Sequence, residues 1–508
     1  MNPHSMTLWD DHAAPRRYPT LRGPLETDVV VIGGGITGTT AALRLAEAGR
    51  RVVLIEGRTL CSGASASTTA HGTAALDTPY HVLCSRLGLE ATRLVAASSL
   101  AAIEHIAARV DKLSISCDLA RVPGYLYTEH PAQLDALREE LEAARAAGLR
   151  VDACAQLAVP FEIAGALIFP DQLRFDPRRY VRGLGEALAA REVAVFEHTR
   201  AVEIVEGDRV LVHTDEGGPV QADAALCATH VPLDRATLQT RLRHQQTYAA
   251  AFREIDLPDA LLWDTERPYH YLRTATVQGV RYLVAGGADH PTGADEHTEI
   301  AFERLLAYCR SRFGTDRPDF HWSSQIVESV DGLPYLGRAP GWTRVYVVTG
   351  LGGNGTTLGT AGALLVADLI LGRRSAWTAL YAPERIPAVG ETALREVAVA
   401  SLSYIGAPDV ESTAQIERDQ GRTLLRDEER IAVYRDPQGA LHAVSAVCTH
   451  MGCLVRFNDA ERTWDCPCHG SRYSIDGAVL EGPAVHALAP RVVVDDAPAD
   501  ETKRDVGS

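Results

Sequence analysis

The stretch TDVVVIGGGITGTTAALRLAEAGRRVVLIE, Thr27 to Glu56, decides how the front of the chain folds. An apolar run, a glycine turn, an amphipathic stretch and a second apolar run ending in an acid predict strand, turn, helix and strand, the order of a dinucleotide-binding βαβ unit. The glycines fall at Gly33, Gly35 and Gly38. Gly33 permits the tight turn, Gly35 lets a pyrophosphate approach the backbone at the helix N-terminus, and Gly38 lets helix and strand pack closely. Glu56 closes the second strand, where a carboxylate can accept from ribose hydroxyls. The pattern alone does not separate FAD from NAD.

The remaining composition bounds the answer. At 508 residues the chain has room for two to four domains, each with its own core. Hydrophobic residues make up 46% and charged residues 23%, ordinary values for soluble globular protein. The formal charge of −16 and the lack of a basic stripe argue against nucleic acid as a partner. No segment approaches the roughly 18 to 20 uninterrupted apolar residues that span a bilayer, so no membrane span is expected. Arg16-Arg17 has the look of a twin-arginine signal, but no apolar core and small-residue cleavage site follow before Asp28, and a cytoplasmic location is expected. Six cysteines are scattered singly (Cys61, Cys84, Cys117, Cys154, Cys227, Cys309), whereas four crowd into one C-terminal cluster, which points to a metal site there.

Two later stretches bear on the cofactor. QADAALCATHVP, Gln221 to Pro232, reads as a strand and turn returning toward the dinucleotide, or as an ordinary buried strand. RVYVVTGLGGNGTTLGTAGALLVADLILG, Arg344 to Gly372, reads as a strand, a glycine-rich turn and a long apolar helix. Gly352, Gly353 and the helix N-terminus at Thr356 would offer backbone N–H groups to the cofactor. On VVIGGGITG, LIEGRTLCSGASAS, DGLPYLG and VYVVTGLGGNGTTLG the chain resembles the FAD-dependent oxidoreductases of the D-amino-acid oxidase and glycine oxidase superfamily over about residues 25–385. The resemblance implies FAD and a Rossmann-like domain carrying an inserted antiparallel sheet that shapes the substrate pocket. The insertions are expected at about 80–190 and 240–330, with strands at Asp118 to Glu129 and Tyr248 to Gly286 and a helix at Pro131 to Gly148.

The chain departs from that family in one respect. Its amino-acid oxidases commonly carry an arginine shortly before the DGLP turn, where a guanidinium holds the substrate carboxylate. Here the stretch is SSQIVESVDGLP, with no arginine. WDTERPYHYLRT, Trp263 to Thr274, offers Tyr269, Tyr271 and Arg273 as catalytic or pocket residues; strand alternation puts these three on one face and His270 on the other. A core aromatic face is the alternative. His71, in SASTTAHGTAAL, sits where related dimethylglycine and sarcosine dehydrogenases join a histidine to the flavin. It is expected to contact the cofactor, through a covalent link or as a neutral hydrogen-bonding group.

At the far end stand CTHMGC, Cys448 to Cys453, and CPCHGSRY, Cys466 to Tyr473. Two thiolates and two imidazoles suit an iron-sulfur centre of raised potential, and also suit tetrahedral zinc. Both boxes closely resemble those of the Rieske family. The resemblance implies a [2Fe-2S] cluster with Cys448 and Cys466 on the inner iron and His450 and His469 on the outer, solvent-facing one. It also implies a Cys453–Cys468 disulfide, and hydroxyls of Ser471 and Tyr473 that hydrogen-bond the cluster sulfurs.

The expected fold is therefore α/β, an FAD-binding Rossmann-like domain with an inserted antiparallel-sheet substrate domain, followed by a small all-β Rieske domain. Its expected parts are an N-terminal extension at 1–24, the oxidoreductase at 25–385, a linker at 386–410, the Rieske domain at 411–496 and a tail at 497–508. The expected function is oxidation of a small amine or amino-acid-like substrate, with electrons passing from flavin through the cluster to an external acceptor protein. A flavin oxidase using oxygen, with the cluster as sensor or structural appendage, is the alternative. A Rieske oxygenase would need a two-histidine, one-carboxylate iron site, and the sequence offers no such helical cluster.

Overall fold

The computed structural model describes residues 6–10, 16–233, 238–294, 298–387 and 407–496. Most of the expected linker and all of the expected tail lie outside these. The described residues pack as two units, a large one built from residues up to His290 and from Ala301 to 387, and a small one built from 407–496 together with 291–294 and 298–300.

In the large unit the apolar run forms the strand Leu25–Ile32 and the amphipathic stretch forms the helix Ile36–Glu47, followed by the strand Val52–Ile55. Successive side chains of a strand point to opposite faces, so an unbroken apolar run can feed two cores. Val29, Val31 and Leu54 enter a core shared with helices, whereas Val30, Ile32, Val53 and Ile55 enter a second core that includes Val210 and Val212. The strand order across the sheet is Tyr335–Arg338, Val345–Thr349, Val220–Cys227, Leu25–Ile32, Val52–Ile55 and Ala194–Phe196. Val220–Cys227 runs parallel beside Leu25–Ile32, so the returning strand delivers Ala228 directly to the first glycine turn.

A second sheet of nine strands includes His71–Gly72, Ala120–Thr128, Gly165–Arg174, Leu242–Arg253, Leu261–Asp264, His270–Val277, Val280–Pro291 and Phe320–Ser329. It is largely antiparallel, but Leu261–Asp264 pairs in parallel with Ala120–Thr128. The helical expectation at Pro131 to Gly148 lands on a short 3₁₀ turn, Pro131–Gln133, and the helix Leu134–Ala146. Part of the N-terminal extension is built into this unit: Leu8 and Trp9 are buried, and Trp9 Nε1 donates to the Thr68 carbonyl at 2.8 Å.

The small unit holds two antiparallel sheets, Gln420–Arg426 with Glu429–Arg435 and Leu441–Ser445, and Arg456–Asn458 with Thr463–Asp465, Arg472–Ser474 and Val479–Glu481. Trp464, Phe457, Tyr473 and Val455 form its core around the four clustered cysteines. No helix among the described residues is long and apolar enough to cross a membrane.

Candidate functional site

The first glycine turn has the geometry that its sequence implies. Gly33 adopts φ +109°, and a Cβ there would come within 2.5 Å of the Ala228 carbonyl oxygen. A Cβ at Gly38 would overlap the Gly33 carbonyl. Gly35 precedes the helix, whose Ile36 N–H donates to Ser65 Oγ at 3.0 Å. Glu56 accepts from the backbone N–H groups of Gly34 at 2.7 Å and Arg58 at 2.8 Å, so the acid at the end of the second strand stands beside the turn.

The second glycine turn joins the strand Val345–Thr349 to the helix Gly355–Ile370. Gly352 takes φ +58°, and Asp77 Oδ2 accepts from Gly353 N–H at 2.6 Å. Asn354 clasps the same loop, accepting from Asp77 N–H at 2.8 Å and donating to the Ala75 carbonyl at 3.2 Å. Thr356 and Thr357 are buried at the helix start. Tyr269 approaches from the large sheet, with its hydroxyl 3.4 Å from Asp77 Oδ1 and close enough to Gly353 that a Cβ there would stand 2.7 Å from it.

Tyr269 and Tyr271 share one face, with ring centroids 5.7 Å apart, and Thr247 Oγ1 lies 3.0 Å from the Tyr271 hydroxyl. His270 turns the other way, pairing with Asp264 at 2.9 Å and stacking on Tyr308. Burial pushes both phenols upward, and it lifts Asp77 to about 6 and Asp289 to about 7.

His71 lies on the edge strand His71–Gly72, its ring edge-on to Tyr271 with centroids 5.7 Å apart. Nδ1 is 3.1 Å from the Thr69 hydroxyl and Nε2 is 3.3 Å from the Leu272 carbonyl, so both ring nitrogens are engaged. A carbonyl only accepts, which puts the proton on Nε2. Burial, reinforced by the Arg273 charge, pulls the imidazole down to about 3.

Arg273 does not join the two tyrosines through its charged end. It is 1% exposed, and its guanidinium donates to the carbonyls of Thr69 and Ala70 at 2.9 Å and of Phe175 and Thr274 at 3.1 Å. It therefore braces the loop that carries His71. Alternation gives the face from which a side chain departs, not where a long one ends. Asp77 and Asp289 escaped the sequence reading because each stands alone in its stretch with no motif spacing to mark it.

In the small unit the two boxes fold as matching turns. Gly452 and Gly470 take positive φ, and their N–H groups donate to the carbonyls of Cys448 and Cys466, each at 3.0 Å. Cys448 and Cys466 are buried at 2% and 1% exposure, while His450 and His469 are partly exposed, with ring centroids 4.9 Å apart. Cys453 and Cys468 form a disulfide, and with Cys466 their sulfurs lie within 4.8 Å of one another. Tyr473 Oη is 3.1 Å from Cys448 Sγ, and Ser471 Oγ accepts from Ala484 N–H at 3.0 Å. Donation from Cys466, with help from Tyr473, the His450 backbone and Ser471, holds the Cys448 thiol down to about 6. His469 Nδ1 is buried and has no hydrogen-bond partner among the described residues, and burial pulls its imidazole below the usual histidine value.

Comparison with known proteins assigns both regions. The family described as "FAD dependent oxidoreductase" (DAO) matches residues 28–369, and "Rieske [2Fe-2S] domain" matches residues 407–492. The chain is 31% identical over 492 residues to a Bacillus subtilis (strain 168) protein described as a Rieske 2Fe-2S iron-sulfur protein, YhfW, covering 95% of this chain and 96% of the relative. It is 24% identical to the gamma-glutamylputrescine oxidoreductase of Escherichia coli (strain K12), over 74% of this chain and 91% of the relative. The glycine oxidase from Geobacillus kaustophilus shares the fold, with a TM-score of 0.61 at 20% identity over 71% of this chain and 99% of that one.

Proposed function

Because the chain belongs to the DAO family of FAD dependent oxidoreductases and carries a C-terminal Rieske [2Fe-2S] domain, we propose that it oxidises a small amine or amino-acid-like substrate at the carbon bearing the nitrogen. Electrons would leave through the Rieske centre to an external acceptor protein. The observation that carries it is that one chain matches both the FAD dependent oxidoreductase family and the Rieske [2Fe-2S] domain.

The residues fit both groups. Gly33, Gly35, Gly38 and Glu56 would receive the dinucleotide, and the turn at Gly352, Gly353 and Thr356 would receive its flavin end, with no side chain at the glycines to fill the cradle. Cys448, Cys466, His450 and His469 would hold the cluster, the buried sulfurs inward and the partly exposed imidazoles outward. Bound FAD supplies a two-electron acceptor that can release electrons singly, and the cluster supplies a one-electron relay.

The chain's own residues orient and seal. Tyr269 and Tyr271 present a fixed aromatic face beside the second glycine turn, held by Asp77 and Thr247. Arg273 fixes the His71 loop, and His71, held by Thr69 and the Leu272 carbonyl, adds no charge beside Tyr271. The relatives named for gamma-glutamylputrescine and glycine support a carbon-nitrogen bond as the site of oxidation. A cytoplasmic location belongs to the same reading.

The test is an anaerobic screen of the purified holoprotein with amines and amino acids, following flavin bleaching and then reduction of an added one-electron acceptor. Bleaching by at least one amine with stoichiometric acceptor reduction supports the function. A flavin-loaded chain that is bleached only by substrates lacking nitrogen contradicts it.

A further inference from the structure

Asp77 touches Tyr269 of the aromatic pair, and Asp289, from an unconnected stretch, acts on both rings of that pair electrostatically. Asp77 is fixed by Gly353 N–H and stands 3.4 Å from the Tyr269 hydroxyl. Asp289 follows Gly287 and Ala288, whose positive φ angles bend the strand Val280–Pro291. The Thr247 hydroxyl faces the Asp289 carboxyl group, but Oδ1 is shut off from solvent and has no hydrogen-bond partner among the described residues. Both carboxylates act electrostatically on both Tyr269 and Tyr271. The Tyr271 ring lies against Gly286, where a Cβ would overlap it, and its hydroxyl is 3.0 Å from Thr247 Oγ1.

The positive charges nearby are committed or distant from water-free space. Arg273 spends its donors on four backbone carbonyls. Arg267, the cation that acts on Asp77, is exposed. Glu328 adds a third negative group facing Tyr269 and Asp289. A buried carboxylate oxygen without a donor is unfavourable until a partner brings one. Aromatic faces beside acids attract an ammonium ion, and a carboxylate brought into the same space would meet like charge.

We propose that the substrate is a cationic amine with no carboxylate on the reacting carbon, a primary alkylamine or diamine, whose ammonium group is received by Asp289 between Tyr269 and Tyr271. This rests on the function proposed above and names its substrate class.

The test uses the full-length, FAD-loaded protein under anaerobic conditions. Flavin absorbance changes are titrated with n-butylamine, 1,4-diaminobutane, glycine and L-alanine. The amines are expected to half-saturate at concentrations at least about tenfold below the amino acids. Asp289→Asn is expected to raise the amine value by about tenfold or more with its flavin content unchanged. Equal or tighter response to glycine or L-alanine in the unaltered protein overturns the inference, whether or not the variant folds. A folded Asp289→Asn protein with unchanged amine response also overturns it. A chain that takes up no FAD overturns the proposed function and this inference together, whereas an FAD-loaded chain that prefers amino acids overturns this inference alone.

Discussion

Tyr473 Oη lies 3.1 Å from Sγ of Cys448 and accepts the backbone N–H of Thr449 at 3.2 Å. With its lone pair occupied from that side, the phenol is left to donate, and a donor to a cluster sulfur favours the more negative, reduced state. Tyr473→Phe is therefore predicted to lower the cluster's reduction potential, on the order of tens of millivolts, for loss of one charge-assisted hydrogen bond. An EPR-monitored redox titration measures this; a potential unchanged from the parent protein contradicts it.

The two units give a way to remove one cofactor and keep the other. A Cβ at Gly38 would overlap the Gly33 carbonyl, and one at Gly353 would crowd the Tyr269 hydroxyl and Asp77. Gly38→Ala and Gly353→Ala are predicted to lose most bound FAD while the iron content and Rieske EPR signal stay at parental levels. Full flavin loading in both variants would show that neither turn cradles the cofactor.

His71 is predicted to be a neutral, non-covalent neighbour of the flavin, since both ring nitrogens already have protein partners. Acid precipitation should leave FAD in the supernatant. The same residue gives a pH effect with a definite sign. Its imidazole titrates at about 3 in the fold against 6.5 for the free group, so the unfolded chain binds the extra proton between those values. Stability from this group is complete above about 6.5 and is lost as pH falls toward 3. Thermal melts of His71→Gln should show a shallower loss across that window; an identical pH profile would contradict the assignment.

What was legible in the sequence was whatever chemistry constrains at short range. A glycine turn between strand and helix, and ligand pairs set a fixed distance apart in two loops, carry their geometry in their spacing. The opposite faces of Tyr271 and His270 were legible for the same reason, because a strand alternates. The parallel pairing of Leu261–Asp264 with Ala120–Thr128 was not, because register between distant strands is settled by tertiary packing. The meeting of Asp77 with Gly353 and Tyr269 was hidden for that reason too. Arg273 was placed on the right strand face and given the wrong neighbours, since backbone carbonyls brought together by folding outcompeted any ligand for its donors.

Arg273→Met is accordingly predicted to act on the fold. Removing the guanidinium leaves buried carbonyls of Thr69, Ala70, Phe175 and Thr274 without their donor. The expected cost is roughly 3 kcal/mol, with Arg273→Lys recovering only part because a single ammonium lacks the planar fork. Denaturant unfolding of the large unit, followed by flavin release, measures it. A variant as stable as the parent would return Arg273 to the substrate pocket.

Under the proposed function, electrons taken from an amine reach the Rieske centre on the same chain. The most direct measurement is anaerobic reduction of the holoprotein by an amine, with absorbance and low-temperature EPR recorded on the same sample. Flavin bleaching is expected to be accompanied by the rhombic EPR signal of a reduced Rieske cluster. Flavin bleached by the amine while the cluster stays oxidised, in protein whose cluster dithionite then reduces, would contradict it.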